Sequence, residues 1–531
     1  MTANRILVAE RIAPAGMDKL AEAGEVIDGS SLDRGGLLEA IEHADALVVR
    51  SATHVDAELI ARADRLRVIG RAGVGVDNVD VTAATRRGIL VCNAPQSNIV
   101  SAAEHTIALL LAIARNVPQA HAALVEGRWE RSRFGGVELD GKTLGVLGFG
   151  RIGQLVAARA RGLGLRILAY DPHVTRERFR ELGVASAASL DEVYTSSDFI
   201  TLHLPLTAET QHLISHAALA RMRPGTRLIN AARGSLVDTE ALVRALRDGT
   251  IDGAALDVFE QEPLPADSAL LGLSNVVVTP HLAASTTEAQ DRAGVQVAEQ
   301  VVSALAGGSV SNALNIPQVG EEEMAIVGPF IPLAEKLGRL AMGLSRDSVE
   351  RIEVATAGGL AGHDTRLLTL AALRGAFAGL EEGVNLVNVR GIAESRGIDV
   401  TEQRREGPSD YQNMLAVTAR HGNEESTVVG TTMGRDGRAW LVRVLHFEVD
   451  LELDPLLLVL QNDDAPGMVG RIGNLLGEHG VNISNMRLSR SGPGGDAMMV
   501  LSLDLEPSRA ALDALESTPG VRARPWLIRL P

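Results

Sequence analysis

Lys142-Thr-Leu-Gly-Val-Leu-Gly-Phe-Gly-Arg-Ile-Gly153 reads as a short strand, Leu144 to Leu147, that runs into a glycine turn and out into a helix at Arg151 or Ile152. Gly148, Gly150 and Gly153 hold the G-x-G-x-x-G spacing. The first glycine allows the sharp turn, the second lets a pyrophosphate approach the backbone, and the third lets helix and strand pack closely. The helix N-terminus then offers unpaired N–H groups and a positive dipole end to phosphate. Such a spacing alone can be a plain structural turn, so the surroundings decide. A second strand, Arg166 to Tyr170, ends in Asp171, 18 residues after Gly153. A carboxylate there accepts hydrogen bonds from the adenosine ribose and repels a 2′-phosphate. The expected cofactor is therefore NAD rather than NADP.

Further strands are expected at 199–202, 226–230, 254–258 and 275–279, which makes a doubly wound parallel sheet. Upstream, Arg5 to Ala9, Ala46 to Arg50 and Leu66 to Gly70 alternate with helical stretches and predict a second unit of the same α/β class. A long helix from Ser101 to Ala114 carries the chain into the dinucleotide unit. Another, Thr287 to Leu305, returns it. The expected division is 1–97 with 285–316 for a substrate-binding domain and 98–284 for the dinucleotide domain, with the cleft between them as the active site. Residues 317–454 mix helices (333–343, 367–380) with strands (349–355, 426–433, 439–447) and predict an α+β intervening domain without a catalytic constellation. From 455 to 531 the order is β-α-β-β-α-β, the ferredoxin-like arrangement.

A chain of 531 residues is too long for one core and suggests three or four domains. The net charge of −16 argues against nucleic acid or an anionic membrane surface as a general partner. The single cysteine, Cys92, rules out an intrachain disulfide and a thiolate metal cluster. The N-terminus enters a strand directly, with no signal-peptide pattern. The most apolar helix, Ile107 to Ala114, is far shorter than the ~18 residues of a membrane span. A cytoplasmic protein is expected.

Three side chains after the glycine turn form a constellation: Arg233, Glu262 and His281. Each follows a strand C-terminus, the edge where open α/β sheets place ligands. Hydride transfer from a secondary alcohol needs a base for the hydroxyl proton, and histidine titrates in the right range. A carboxylate beside it orients the ring and stabilises the imidazolium. An arginine can grip a planar carboxylate with two hydrogen bonds. Each has a bland alternative: a helix-cap arginine, a surface glutamate, a core histidine. Three together behind a dinucleotide turn outweigh it. Arg50 and Arg71 are candidates for a substrate phosphate, against the alternative of surface solubility. His105 beside Glu104 is expected to serve packing and capping. His203, His212 and His216 show no ligand set, and no metal is expected.

Gly148-Phe-Gly-Arg-Ile-Gly153, Asn230-Ala-Ala-Arg-Gly234, Asp257-Val-Phe-Glu-Gln-Glu-Pro263 and Pro280-His281 resemble the D-isomer-specific 2-hydroxyacid dehydrogenases. Val49-Arg-Ser-Ala-Thr53 and Gly70-Arg-Ala-Gly-Val-Gly-Val-Asp-Asn-Val-Asp80 resemble the phosphoglycerate-oxidising branch in particular. Asp464-Ala-Pro-Gly467 and Val481-Asn-Ile483 resemble an ACT domain, an amino-acid-sensing module, and a segment the size of 317–454 resembles the long form of that branch. The resemblance implies NAD-dependent oxidation of 3-phospho-D-glycerate on the way to L-serine. It implies His281 as acid–base, Arg233 as the grip on the substrate carboxylate, and Glu262, which directly precedes a proline, as the histidine's partner in preference to Glu260. It implies Asp257 at the nicotinamide amide, Arg151 and Ile152 at the pyrophosphate, Asp171 at the ribose, and Ala231 among the cofactor contacts; Ala231 and Val74 depart from the more polar residues common there. Ser51 and Asn98 join Arg50 and Arg71 around the substrate, with Arg131 reaching the phosphate across a dimer interface. Asn462, Asp464 and Asn482 become contacts for L-serine as effector in a homo-oligomer, expected to be a tetramer. Two alternatives stay open. A hydroxypyruvate or glyoxylate reductase needs neither arginine 50 nor 71, nor a sensor. A non-catalytic NAD-sensing protein is not excluded by the three side chains.

Overall fold

Short apolar runs and aspartate-capped helices build the N-terminal part of the computed structural model, which describes residues 3–405, 411–434 and 436–531. Its first sheet is parallel, in the order Gly24–Asp28, Asn4–Val8, Ala46–Val49, Val68–Arg71, Leu90–Asn93. Ala46–Val49 is buried throughout, as a strand covered on both faces must be. Asp33, Asp56 and Asp80 each accept a backbone N–H at the start of the helix that follows, which satisfies a donor the helix cannot. Helix Thr287–Leu305 covers the other face: Val297, Ala298 and Val301 share a core with Ile6, Val8, Val48 and Val68. Gly70 makes room for it, since a Cβ there would lie 2.7 Å from methyls of Val297 and Val301.

The second sheet is also parallel, in the order Val276–Val278, Gly253–Leu256, Arg227–Asn230, Phe199–Leu202, Thr143–Leu147, Arg166–Tyr170, Ala185–Ser186. The strand order reverses beside Thr143–Leu147, so its C-terminal end opens a crevice. The expected strands are all present within about two residues, the usual uncertainty at element ends. The two-residue edge strand Ala185–Ser186 has no sequence pattern of its own.

Helices Ile331–Leu344 and Arg366–Phe377 pack backbone to backbone over a mixed sheet of six strands. A Cβ at Gly338 would sit 1.8 Å from the Ala372 carbonyl oxygen, and one at Gly375 equally close to that of Glu335. The stretch 439–447, expected as one strand, is a hairpin of Arg438–Val444 and Phe447–Glu452, turning at Leu445 with φ 55°. Two further strands, Asp399–Arg405 and Asn413–His421, were not expected. The first is an edge strand with mostly exposed charged side chains, so it carries no alternation.

The C-terminal sheet is antiparallel, in the order Ile483–Arg490, Asp496–Leu503, Leu456–Asp463, Trp526–Arg529. Its last strand is shorter than the expected 521–528, because Pro525 lacks the N–H a ladder needs. Leu458, Leu460, Met499 and Leu501 face helices Met468–Glu478 and Arg509–Glu516. The alternate residues Leu457, Val459, Met498 and Val500 share a core with Ile331–Leu344. The C-terminal and intervening units are therefore packed as one body. Among the described residues, no single helix is long and apolar enough to cross a membrane.

Candidate active site

The glycine turn has the shape its spacing demands. Gly148 has φ 89°, and a Cβ there would lie 2.5 Å from the His203 carbonyl oxygen. A Cβ at Gly153 would lie 2.2 Å from the Gly148 carbonyl oxygen, so helix Arg151–Gly162 approaches the strand only because that side chain is missing. A Cβ at Gly150 would meet nothing within 4 Å. That glycine leaves open space in front of a helix N-terminus, where a pyrophosphate fits. Asp171 accepts the Phe149 N–H at 2.8 Å and the His173 N–H at 2.9 Å. It therefore braces the turn, and each oxygen keeps a lone pair for a ribose hydroxyl. Arg151 and Ile152 open the helix, and Ala231 packs against the core beneath them.

His281 and Glu262 are bonded, Nδ1 to Oε2, at 2.7 Å. The second glutamate oxygen accepts the Phe259 N–H at 3.0 Å. The bond to Glu262 raises the His281 pKa against the opposing effect of burial. Burial pushes the Glu262 carboxyl up, but the bonds from His281 and Phe259 outweigh it and hold it low. Nε2 of His281 has no partner among the described residues. The rival Glu260 is engaged elsewhere, accepting from His212 Nε2 at 2.6 Å and from the Thr239 N–H at 3.0 Å. The backbone of His281 is left-handed, φ 55°, which is costly for a residue with a side chain. Asp257 holds it there. Its carbonyl accepts the His281 N–H, and its carboxylate accepts the N–H groups of Leu282 and Ala283. That carboxylate is fully buried and also bonds His105 and Thr279. Burial alone would raise the Asp257 pKa; these four donors lower it.

His281 and Glu262 line a cleft of about 850 Å³ whose opposite wall carries Ser51, Arg71 and Asp77. Arg71 is half-buried, and its Nε has no partner among the described residues. Burial and the facing Arg233 both lower its pKa. Two glycines give the guanidinium groups their room: a Cβ at Gly73 would strike Arg71 Nη1, and one at Gly75 would lie 2.4 Å from Arg233 Nη2. Arg233 pairs with Asp77, Nε to Oδ2 at 3.5 Å. Asn230 shapes the arginine's loop by donating to the Arg233 carbonyl and accepting the Ala232 N–H. Two cations meeting beside a histidine–glutamate pair make an anion site next to a proton acceptor.

Three family models match the chain: the NAD-binding domain of D-isomer specific 2-hydroxyacid dehydrogenases over residues 107–283, the D-3-phosphoglycerate dehydrogenase intervening domain over 326–444, and the ACT domain over 456–520. D-3-phosphoglycerate dehydrogenase of Methanocaldococcus jannaschii is 42% identical over 98% of both chains. The enzyme of that name from Mycobacterium tuberculosis is 46% identical over 94% of both. The chain belongs to the D-3-phosphoglycerate dehydrogenase family. The solved structure of D-lactate dehydrogenase from Aquifex aeolicus, complexed with NAD and lactic acid, is similar over 59% of this chain and all of its own, with a TM-score of 0.52 and 30% identity. The cofactor of this family's dehydrogenase domain is NAD.

Not every residue expected at the family's site gathers there. Arg50 turns away from the large cleft. Its guanidinium donates to the Arg11 carbonyl and lines a separate cavity of about 190 Å³ with Arg11 and Gln290. Glu10 fixes that loop, its carboxylate taking the N–H groups of Arg50, Ala52 and Thr53. Asn98 caps helix Ile99–Arg115 without a side-chain bond, and its buried Oδ1 has no partner among the described residues. Arg131 is exposed, in the short turn Arg131–Phe134. In the C-terminal unit, Asp464 accepts from the Gly494 N–H and Arg490, which lowers its pKa. Asn482 donates to Asp504 at 2.6 Å. Asn462 is buried, and its Oδ1 has no partner among the described residues. Sequence reasoning passed over Asp77, Asn230 and Thr279. The signal for the first was its place two residues after Gly75 in a glycine-rich turn.

Proposed function

We propose that the chain oxidises 3-phospho-D-glycerate to 3-phosphooxypyruvate, the first step of L-serine synthesis, at the cleft between residues 51–78 and 259–281. The observation that carries this is the His281–Glu262 pair at 2.7 Å facing Arg71 and Arg233. NAD, when bound, would supply the acceptor for the hydride leaving the substrate's C2. Gly148, Gly150, Gly153, Arg151 and Ile152 would hold its pyrophosphate and Asp171 its ribose, with Ala231 and Asp257 at the nicotinamide end. Arg233 grips the substrate carboxylate, exchanging Asp77 for it. His281 Nε2 takes the hydroxyl proton as the carbonyl forms, and Glu262 stabilises the resulting imidazolium. Arg71 and Ser51 meet the phosphate. Arg50, Asn98 and Arg131 join them only on closure of the cleft or from a second copy.

The domain division we adopt is 1–97 with 285–316, 98–284, 317–454 and 455–531, which agrees with the core that helix Thr287–Leu305 shares with the first sheet. Exposed Leu111, Val117, Leu124, Val125 and Trp129 on and beside helices Ile99–Arg115 and Val117–Val125 support a homo-oligomer, which we take to be a tetramer. L-serine binds the ACT domain at Asn462, Asp464 and Asn482, where an orphaned amide oxygen and a carboxylate suit an ammonium group. A buried free Cys92 and NAD-linked chemistry fit a cytoplasmic setting. Turnover of the purified protein with NAD and a panel of 2-hydroxy acids tests the activity: 3-phosphoglycerate should lead the panel, and preference for an unphosphorylated acid contradicts it. Asp464→Ala should abolish inhibition by serine while uninhibited kcat stays within about 2-fold, since Asp464 lies outside the cleft that holds His281 and Glu262. Calorimetry with no serine binding to the wild type overturns the effector assignment.

A further inference from the structure

We propose that His105 is a positioning residue for the acid–base pair, acting through Asp257 and Thr279. The proposal rests on the assignment of His281 above. His105 lies on helix Ile99–Arg115, far in sequence from both partners, with its side chain largely buried. Its Nε2 is 3.1 Å from Asp257 Oδ1 and 3.0 Å from Thr279 Oγ1. The proton count assigns the direction. Asp257 accepts the Thr279 hydroxyl at 2.6 Å and two backbone N–H groups, so it is an ionised acceptor. The single Thr279 hydrogen is then spent on Asp257. Only a proton on His105 Nε2 can complete both contacts, so His105 donates a shared hydrogen bond to the two oxygens.

Asp257 in turn holds the chain on both sides of the reacting ring. Its carbonyl takes the His281 N–H, and its carboxylate takes the next two N–H groups. These bonds impose the left-handed backbone at His281, a conformation that persists only when its surroundings over-determine it. With the donor at position 105 removed, a fully buried carboxylate loses one of its partners and the loop bearing His281 gains freedom. A displacement of a fraction of an ångström at Nε2 lowers the chemical step while leaving the binding surfaces in place.

The test compares His105→Leu with His105→Gln, whose amide nitrogen reaches the same place, using steady-state kinetics and thermal unfolding. His105→Leu should lower kcat on the order of 10-fold while KM for the hydroxy acid moves less than about 3-fold, the pattern of an interaction that matters in the transition state. His105→Gln should recover most of that loss. Should His105→Leu fail to fold, His105→Asn, polar but too short to reach Asp257, takes its place with the same expected loss. A kcat within about 2-fold of wild type in the donor-less variant, or an equal loss in His105→Gln, overturns the proposal. His281→Ala run in parallel separates the two claims. Normal turnover there removes the acid–base assignment itself. A nearly inactive His281→Ala beside an unaffected His105→Leu removes only the role of His105.

Discussion

Two histidine–glutamate pairs stand close together at the C-terminal edge of the second sheet, and their hydrogen bonds are nearly alike. His281 meets Glu262 at 2.7 Å, and His212 meets Glu260 at 2.6 Å. Both histidines have left-handed backbones, φ 55° and 51°. What differs is the rest of each pair. Glu260 spends its second oxygen on the first N–H of helix Thr239–Arg247, and the His212 N–H bonds the Ser235 carbonyl. That pair is a clamp between loops. Glu262 spends its second oxygen on its own loop, and His281 lines the large cleft opposite Arg71. A short bond between imidazole and carboxylate does not make an acid–base pair. A free ring nitrogen facing a substrate-sized space with cations across it does.

The largest expected effect breaks that comparison if it fails. His281→Ala should cut kcat by roughly 10²–10⁴-fold, the span of a general acid–base, while His212→Ala stays within about 3-fold. Steady-state rates of both variants check this, and equal losses would mean the two pairs are not functionally distinct. Next in size is the cation wall. Arg71→Ala should raise KM for 3-phosphoglycerate about 10- to 100-fold, since a hydrogen bond to a charged group is worth roughly 1.5–3 kcal/mol, with a smaller change for an unphosphorylated 2-hydroxy acid. Arg50→Ala, outside the cleft lining, should do less. Equal KM changes for both substrates would return Arg71 to a structural role. The smallest effect belongs to the cofactor turn. Asp171→Ala should weaken NAD about 10-fold and narrow its advantage over NADP. Because Asp171 also braces the Phe149 N–H, NADP should not gain what NAD loses. A wild-type enzyme that uses both cofactors equally well contradicts the ribose assignment.

Much of this cleft was legible in the chain because steric necessity leaves a residue-level trace. Gly148 and Gly153 occupy places where a Cβ would collide with backbone, and Gly73 and Gly75 make room for the two arginines. Arg233, Glu262 and His281 follow strand ends, and strand ends are readable from apolar runs. What escaped was set by contacts between distant segments. The Asp77–Arg233 ion pair joins the two sheets' loops, and nothing local to either residue announces it. His105 was expected to pack and cap; its bond to Asp257 spans 152 residues. Arg50 is read from the sequence as a phosphate ligand; here its guanidinium bonds the Arg11 carbonyl, a contact nothing local to Arg50 announces. In 317–454 the charged edge strand Asp399–Arg405 and the turn at Leu445 carried no pattern to read. The face of the C-terminal sheet that lacks its own helices is claimed by Ile331–Leu344, a pairing only tertiary structure decides.

The most direct measurement is the pH dependence of kcat for hydroxy-acid oxidation in wild type, Glu262→Gln and Glu260→Gln. The reaction needs neutral His281, so the rate falls as pH drops through the histidine's pKa. Glu262 raises that pKa by stabilising the imidazolium, so the wild-type acidic limb should lie above the ordinary histidine range. Removing the carboxylate charge lowers the pKa, and the acidic limb of Glu262→Gln should move to lower pH with a reduced plateau. The limb of Glu260→Gln should stay with the wild type, because that glutamate is bonded to His212 instead. An unmoved limb in Glu262→Gln, or an equal shift in Glu260→Gln, would contradict the account.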